Sequence, residues 1–203
     1  MQEDYIDSEK QYFSQLTDEI FRAYVDAIIP RTPSLAREYG RVQLYGALDL
    51  YTDEYLMYML DYSSVPMTYA VAEMLETAAG YFLSTEHGNK MNARESAELS
   101  VFGSLRAEDR LRLVFFLEQS GSEIPNLPEL FAGNQGSILA ATYALSRLTL
   151  LGYYSEWSGY GSTRLLSPNQ WVMETFPLSW EQVGYPGPSL GYRALRSNNS
   201  ELL

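Results

Sequence analysis

Few residues in this chain can do chemistry, and those few are badly placed for it. His87, in "TEHGNK", is the only histidine, and there is no cysteine in 203 residues. The absence of thiols excludes disulfides, thiolate metal sites, iron–sulfur clusters, covalent c-type haem and cysteine nucleophiles together. A Ser–His–Asp triad would have to use His87, and no G-x-S-x-G elbow accompanies it. Glu73 and Glu76 form an E-x-x-E, but a di-iron bundle requires Glu-x-x-His on paired helices. That pair reads as a solvated helix face, and His87 as a loop residue without a ligand. "GYGSTR" (159–164) has no strand before it and no helix after it, so it is not a phosphate loop. The residues therefore point to no catalytic, cofactor-binding or metal site of the chain's own, and away from catalysis by this chain alone.

Seventeen tyrosines are the compositional oddity. Tyr45, Tyr51, Tyr55, Tyr58 and Tyr62 crowd into "LYGALDLYTDEYLMYMLDY". They read as core side chains whose hydroxyls reach the surface, or as an aromatic contact surface for another protein. Charge bears on the second reading. The net charge is −12, with 7 Lys+Arg against 17 Asp+Glu in residues 1–100 and 7 against 9 in the rest. An acidic chain repels phosphate backbones, which excludes nucleic acid as a partner. The near-neutral second half, which holds all three tryptophans, is the better candidate for a protein contact.

The longest apolar stretch, "ILAATYALSRLTLLGYY" (138–154), has Arg147 at its middle and falls short of the roughly 20 apolar residues a membrane span needs. No membrane insertion is expected. The N-terminus is polar and acidic, without the features of a signal peptide. As it stands the sequence reads as cytoplasmic, or as periplasmic or exported if a leader has been removed, and the residues leave both open.

The elements that must position these side chains read as helices. Phe13, Leu16, Ile20, Tyr24, Ala27 and Ile28 recur at the spacing of one helical face over residues 8–29, and Pro30 ends the run. Thr32 and Pro33 signal a second helix to about Leu50, with a restart capped by Thr52. Met67, Val71, Met74, Leu75, Ala78 and Phe82 mark a third. "NARE" (92–95) has the form of a capping box for a short helix to Leu105. "LVFFL" (113–117) is expected to be buried on all sides, and "NLPELF" (126–131) to make a helical turn or two. From Asn134 to Trp157 a last long helix places Ile138, Ala141, Thr142, Leu145, Leu148 and Gly152 on one face. The expectation is a single all-α domain of six or seven helices. A helical body over 8–157 would carry an irregular aromatic, Gly/Pro-rich segment over 158–203.

That segment contains "SWEQVGYPGPSLGYR" (179–193), read here as non-helical, with a tight turn at Pro186–Gly187. Its apolar residues are expected to close the domain, Trp180 and Val183 packing against the helix that carries Leu145 and Leu148. The rigid "GYPGP" backbone would then face a partner.

Two stretches resemble one family. In "FRAYVDAIIPRTPSLAREYGRVQLY", Asp26, Ile28, Ile29, Pro30, Pro33, Ala36, Glu38 and Gly40 match the opening of the gluconate 2-dehydrogenase subunit 3 family. Near the C-terminus Trp180, Gly184, Tyr185, Pro186, Gly187 and Pro188 are similar to its second hallmark, a Trp a few residues before G-Y-P-G-P. The spacing before that Trp is lengthened by "LLSPNQWVMETFPLS", and no twin-arginine leader of the family's kind is visible. The resemblance implies an all-α accessory or chaperone-like subunit without a cofactor of its own. Its partner would be a large flavoprotein dehydrogenase subunit, and the motif residues would form the contact. The alternative is a stand-alone helical binding protein with no dehydrogenase partner.

Overall fold

A computed structural model describes the backbone of residues 2–62, 64–85 and 99–187, with side chains from residue 14 onward. Within these residues the chain is all-α, with eight α-helices, several short 3-10 turns and no strand. His87 and the expected capping box at 92–95 lie outside the described residues, as do Pro188 and Leu190.

Helix α1 (Gln2–Ile28) stops before Pro30, and buries Ile20, Phe21, Tyr24, Val25 and Ala27. The long second helix expected over 33–50 does not form. In its place come a 3-10 turn (Pro33–Leu35), the single turn α2 (Ala36–Tyr39) and two further 3-10 turns, Arg41–Leu44 and Ala47–Leu50. Two glycines break it. Gly40 has φ +90°, which L side chains avoid. A Cβ on Gly46 would lie 2.7 Å from the Arg31 nitrogen, where the loop closes through an Ala47 N–H bond to the Ile29 carbonyl. Thr32 bonds the Gln43 side chain instead of capping.

Helix α3 (Thr52–Asp61) begins from Tyr51 in a left-handed conformation (φ 56°), so Tyr51 rather than Thr52 is its N-cap residue. Helix α4 (Thr68–Ser84) buries Val71, Met74, Leu75, Ala78 and Phe82 as their spacing predicts. Helix α6 (Ala107–Ser120) is amphipathic and not buried all round: Leu113, Val114 and Leu117 are inside, whereas Phe115 is 61% exposed. Residues 126–131 form hydrogen-bonded turns, not a helix. Helix α7 (Gln135–Tyr154), capped by the Asn134 side chain, buries Ile138, Ala141, Thr142, Leu145 and Gly152. Gly152 lets α3 approach: a Cβ there would come 2.5 Å from the Tyr55 ring. One cluster of buried apolar side chains runs through α1, α3, α4, α6 and α7.

The four-residue helix α5 (Val101–Ser104) delivers Phe102 to this core but is too short to hold itself. Charged side chains secure both ends. Glu76 of α4 accepts from Ser100 Oγ (2.7 Å), Val101 N (2.7 Å) and Phe102 N (3.1 Å) at its N-terminus. Arg110 of α6 donates to the Phe102 and Gly103 carbonyls at the other end, and to Ala23 of α1. A carboxylate at the N-terminus and a guanidinium at the C-terminus also complement the helix dipole. Glu76 is thus an anchor, which corrects the solvated-face reading of the Glu73–Glu76 pair; Glu73 alone is exposed.

Glu76→Ala should lower stability by about 2–4 kcal/mol in urea unfolding, since three donors lose one acceptor. Glu76→Gln, which keeps one acceptor oxygen, should lose roughly half as much. Equal unfolding midpoints for Glu76→Ala and the parent chain would contradict the anchoring role.

Candidate functional site

The two irregular segments, residues 29–51 and 155–187, meet on one side of the molecule. Helix α7 supplies the first link: Tyr153 is buried and its hydroxyl donates to the Tyr45 carbonyl at 2.9 Å. Burial pushes that phenol up to about 12. Trp157, also buried, donates its indole N–H to the Tyr51 carbonyl at 2.9 Å. Arg164 completes the seam, donating to both oxygens of Glu54 (2.7 and 2.9 Å) and to the Gly161 carbonyl. Its guanidinium also lies over the Tyr51 ring, 3.6 Å from the centroid. The hydrogen bonds to Glu54 raise the Arg164 pKa further above its ordinary value.

Beside this seam the aromatic residues gather. Trp157 stacks on Tyr58 at 5.7 Å and meets Tyr55 and Trp171 edge-on at 5.4 and 5.6 Å. Trp171 also contacts Tyr160 at 5.1 Å. Tyr55, Tyr58 and Tyr160 are half-buried, and Tyr62 is exposed, as it caps the row against Tyr58. Backbone shape supports the packing: Gly161 has φ +52°, and a Cβ there would strike the Glu174 carboxylate. Glu174 accepts from the Ser162 hydroxyl (2.7 Å) and N–H (2.9 Å), which hold its carboxyl below the usual range.

The sequence motif near the C-terminus has a local physical basis. Residues expected to be non-helical form a short helix, α8 (Leu178–Val183), ended by Gly184 at φ 65°. The Gly184 N–H bonds the Glu181 carbonyl and the Tyr185 N–H bonds the Trp180 carbonyl, the two bonds of a Schellman cap. The apolar contact that accompanies such caps is Trp180 against Tyr185, edge-to-face at 5.0 Å. Phe176 meets the same indole at 5.5 Å, and Gly187, at φ 97°, passes close beneath it. Gly187 thus has the positive φ that a Pro–Gly turn requires at its second central position, and no described peptide bond is cis.

Trp180 and Val183 do not close the domain as expected. Val183 is 78% exposed, and Trp180 is half-buried among Phe176 and Tyr185 of its own segment. Leu178 packs on the core instead, and Ser179 Oγ donates to the Ser155 carbonyl at 3.3 Å. The Schellman cap turns the chain immediately after Val183, which leaves that side chain in solvent.

The two stretches that carry the family resemblance are brought together. Arg41 donates to Glu181 at 2.7 Å, across 140 residues of sequence. The hydrogen bond that Arg41 donates to the Tyr45 hydroxyl, and the charge of Glu181, raise the Arg41 pKa. Arg41, Tyr45, Asp49, Phe176, Leu178 and Glu181 line a cleft of about 320 Å³ between the stretches. Sequence reasoning singled out Trp180 to Gly187, the tyrosine run that includes Tyr58, and the aromatic tail that includes Trp171, but missed Arg41, Glu54, Trp157 and Arg164. Nothing in local spacing pairs residues more than 100 positions apart. Among the described residues no group of three or more His, Asp or Glu side chains could hold a metal ion, and no helix is long and apolar enough to cross a membrane. No protein-family model matches the chain, and no curated protein or solved structure is significantly similar to it.

The packing separates two tryptophans the sequence treats alike. Trp171→Ala should cost about 2–3 kcal/mol in urea unfolding, because Trp157, Tyr58 and Tyr160 each lose one ring contact. Trp180→Ala should cost under about 1.5 kcal/mol, because it is only half-buried and its ring partners, Phe176 and Tyr185, belong to the same segment. A larger loss from Trp180→Ala than from Trp171→Ala would overturn this division.

Proposed function

We propose that this chain is a non-catalytic accessory subunit of a flavin-dependent dehydrogenase, of the gluconate 2-dehydrogenase subunit 3 kind. Its docking face is formed by residues 41–51 and 171–187. The observation that carries the reading is the Arg41–Glu181 contact, which joins the two stretches of the family resemblance into one surface. Chemistry supports it as well. Hydride removal from a sugar needs a flavin and a base, and the sequence has neither a dinucleotide fingerprint nor a base beside a cofactor site. Tyr185 and Phe176 are exposed on this face, and aromatic anchors of this type dominate binding where a partner buries them.

The cleft of about 320 Å³ on the same face favours one second reading, a stand-alone protein that binds a small ligand there. Co-expression separates the two. The tagged chain should co-purify with the flavoprotein dehydrogenase encoded beside its gene. Tyr185→Ala together with Phe176→Ala should weaken that capture at least tenfold, with circular dichroism unchanged. The chain purified alone should show no flavin absorbance and oxidise no sugar. A neighbourhood without a flavoprotein gene, or a neighbouring flavoprotein that never co-purifies, would transfer the case to the stand-alone reading.

A further inference from the structure

Helix α7 is apolar on its outward side as well as its inward one. Leu139, Tyr143, Leu150, Leu151 and Tyr154 are between 38 and 65% exposed. With Gly136, Ala140 and Arg147, also exposed, they fall within about a third of the helix circumference at 100° per residue. The stripe runs roughly 27 Å from Gly136 to Tyr154. At these exposures the five large side chains leave roughly 600 Å² open, the upper end of what a monomer carries as one patch. Arg147 and Ala140 bring the face toward the roughly 800 Å² that each partner contributes to a stable complex.

Charge and shape together name the occupant. In a chain of net charge −12, most surfaces repel a second copy. Among the described helices of ten residues or more, α7 alone has no acidic side chain, and Arg147 is its one charge. The stripe is also graded: Gly136 and Ala140 at one end are small, while Leu150, Leu151 and Tyr154 at the other are large. An antiparallel copy on a two-fold axis level with Leu145 sets Tyr154 beside Gly136 and Leu150 beside Ala140. The same register sets Leu151 beside Leu139 and Arg147 beside Tyr143. In the last three pairs the two residues sit on opposite sides of the seam, so they interdigitate without collision. Each Arg147 faces a tyrosine ring of the other copy, a cation–π contact, and the two arginines are staggered by about 6 Å along the axis. A parallel copy would crowd Tyr154 on Tyr154 and leave a gap at Gly136.

We propose that α7 is the interface of an antiparallel homodimer in this register. The proposal stands independently of the accessory-subunit reading. At about 50 μM, above the micromolar dissociation constant of a weak interface of this size, the full chain should sediment at twice its 23.1 kDa mass. Leu150→Glu/Leu151→Glu, at exposed positions, should sediment as a folded monomer with an unchanged circular dichroism spectrum. Because the native chain has no cysteine, register can be read by cross-linking. Gly136→Cys mixed with Tyr154→Cys, which share the centre of the seam, should give a covalent dimer on mild oxidation, whereas either alone should not, its two copies lying about 27 Å apart along the axis. A monomer at that concentration, a dimer indifferent to the two glutamates, or cross-linking of Gly136→Cys to itself would each overturn the proposal.

Discussion

Backbone that is neither helix nor sheet must still find hydrogen-bond partners, and that requirement shapes one whole side of this molecule. Residues 29–51 and 155–187 are long, irregular and partly covered. Their carbonyls are taken up by side chains projected from regular elements or from each other: Tyr153 to Tyr45, Trp157 to Tyr51, Arg164 to Gly161. Each of these donors is a large, partly apolar group. The bond that satisfies a carbonyl therefore also buries a ring or an aliphatic stem. This accounts for tyrosines that lie outside the deep core, to which Tyr24 and Tyr153 do contribute. Of the tyrosines in the dense run from Tyr45 to Tyr62, none is fully buried, and Tyr51 and Tyr62 are exposed. They fasten a surface.

The same logic separates what the sequence reveals from what it conceals. Helices α4 and α7 are legible because burial alone selects their faces, and the periodicity records it in every turn. The segment after Pro30 misleads because its residues are good helix formers. Two glycines override them, one by its φ and one by the backbone contact a Cβ would block. Glu76 misleads for a different reason. An E-x-x-E looks like solvated charge wherever it occurs, and only the arrival of α5 from 24 residues downstream gives it three donors. In the tail, residues 178–183 read as non-helical because Gly and Pro follow so closely, yet Gly184 in the left-handed conformation closes a short helix there with a Schellman cap. Its docking place is no more legible, because Leu178, and not the more conspicuous Trp180 or Val183, meets the core.

Electrostatics follows a similar division. The acidic excess lies in the first half of the sequence, yet the interior uses charge sparingly and in pairs. Asp109 is almost wholly buried and lies between Arg106 and Arg112 at 3.3 and 3.0 Å. Asp53 is buried against Arg22 at 3.3 Å, and desolvation raises its pKa despite that partner. Such pairs contribute to stability only when the geometry is good, and breaking one leaves an uncompensated charge. Among the described residues no other carboxylate is buried, although Glu76 is half-buried at the start of α5.

The outward stripe of α7 carries no acidic side chain, whereas the aromatic face on the other side of that helix holds Asp49, Glu174 and Glu181. Gly152 and Tyr153 point from α7 toward α3 and the seam of irregular segments, while Tyr143, Leu150 and Tyr154 point into solvent. The stripe thus shares no residue with Arg41, Phe176, Glu181 and Tyr185 of the aromatic face. The helix between the two surfaces is rigid, capped at its first turn by Asn134 and packed on α3 and α6 along its length. A dimer through the stripe would thus carry two copies of the aromatic face, both outward and both held by the same helix pair. If that face receives a flavoprotein, the geometry leads to an assembly with two of each chain, because neither contact uses a residue the other needs.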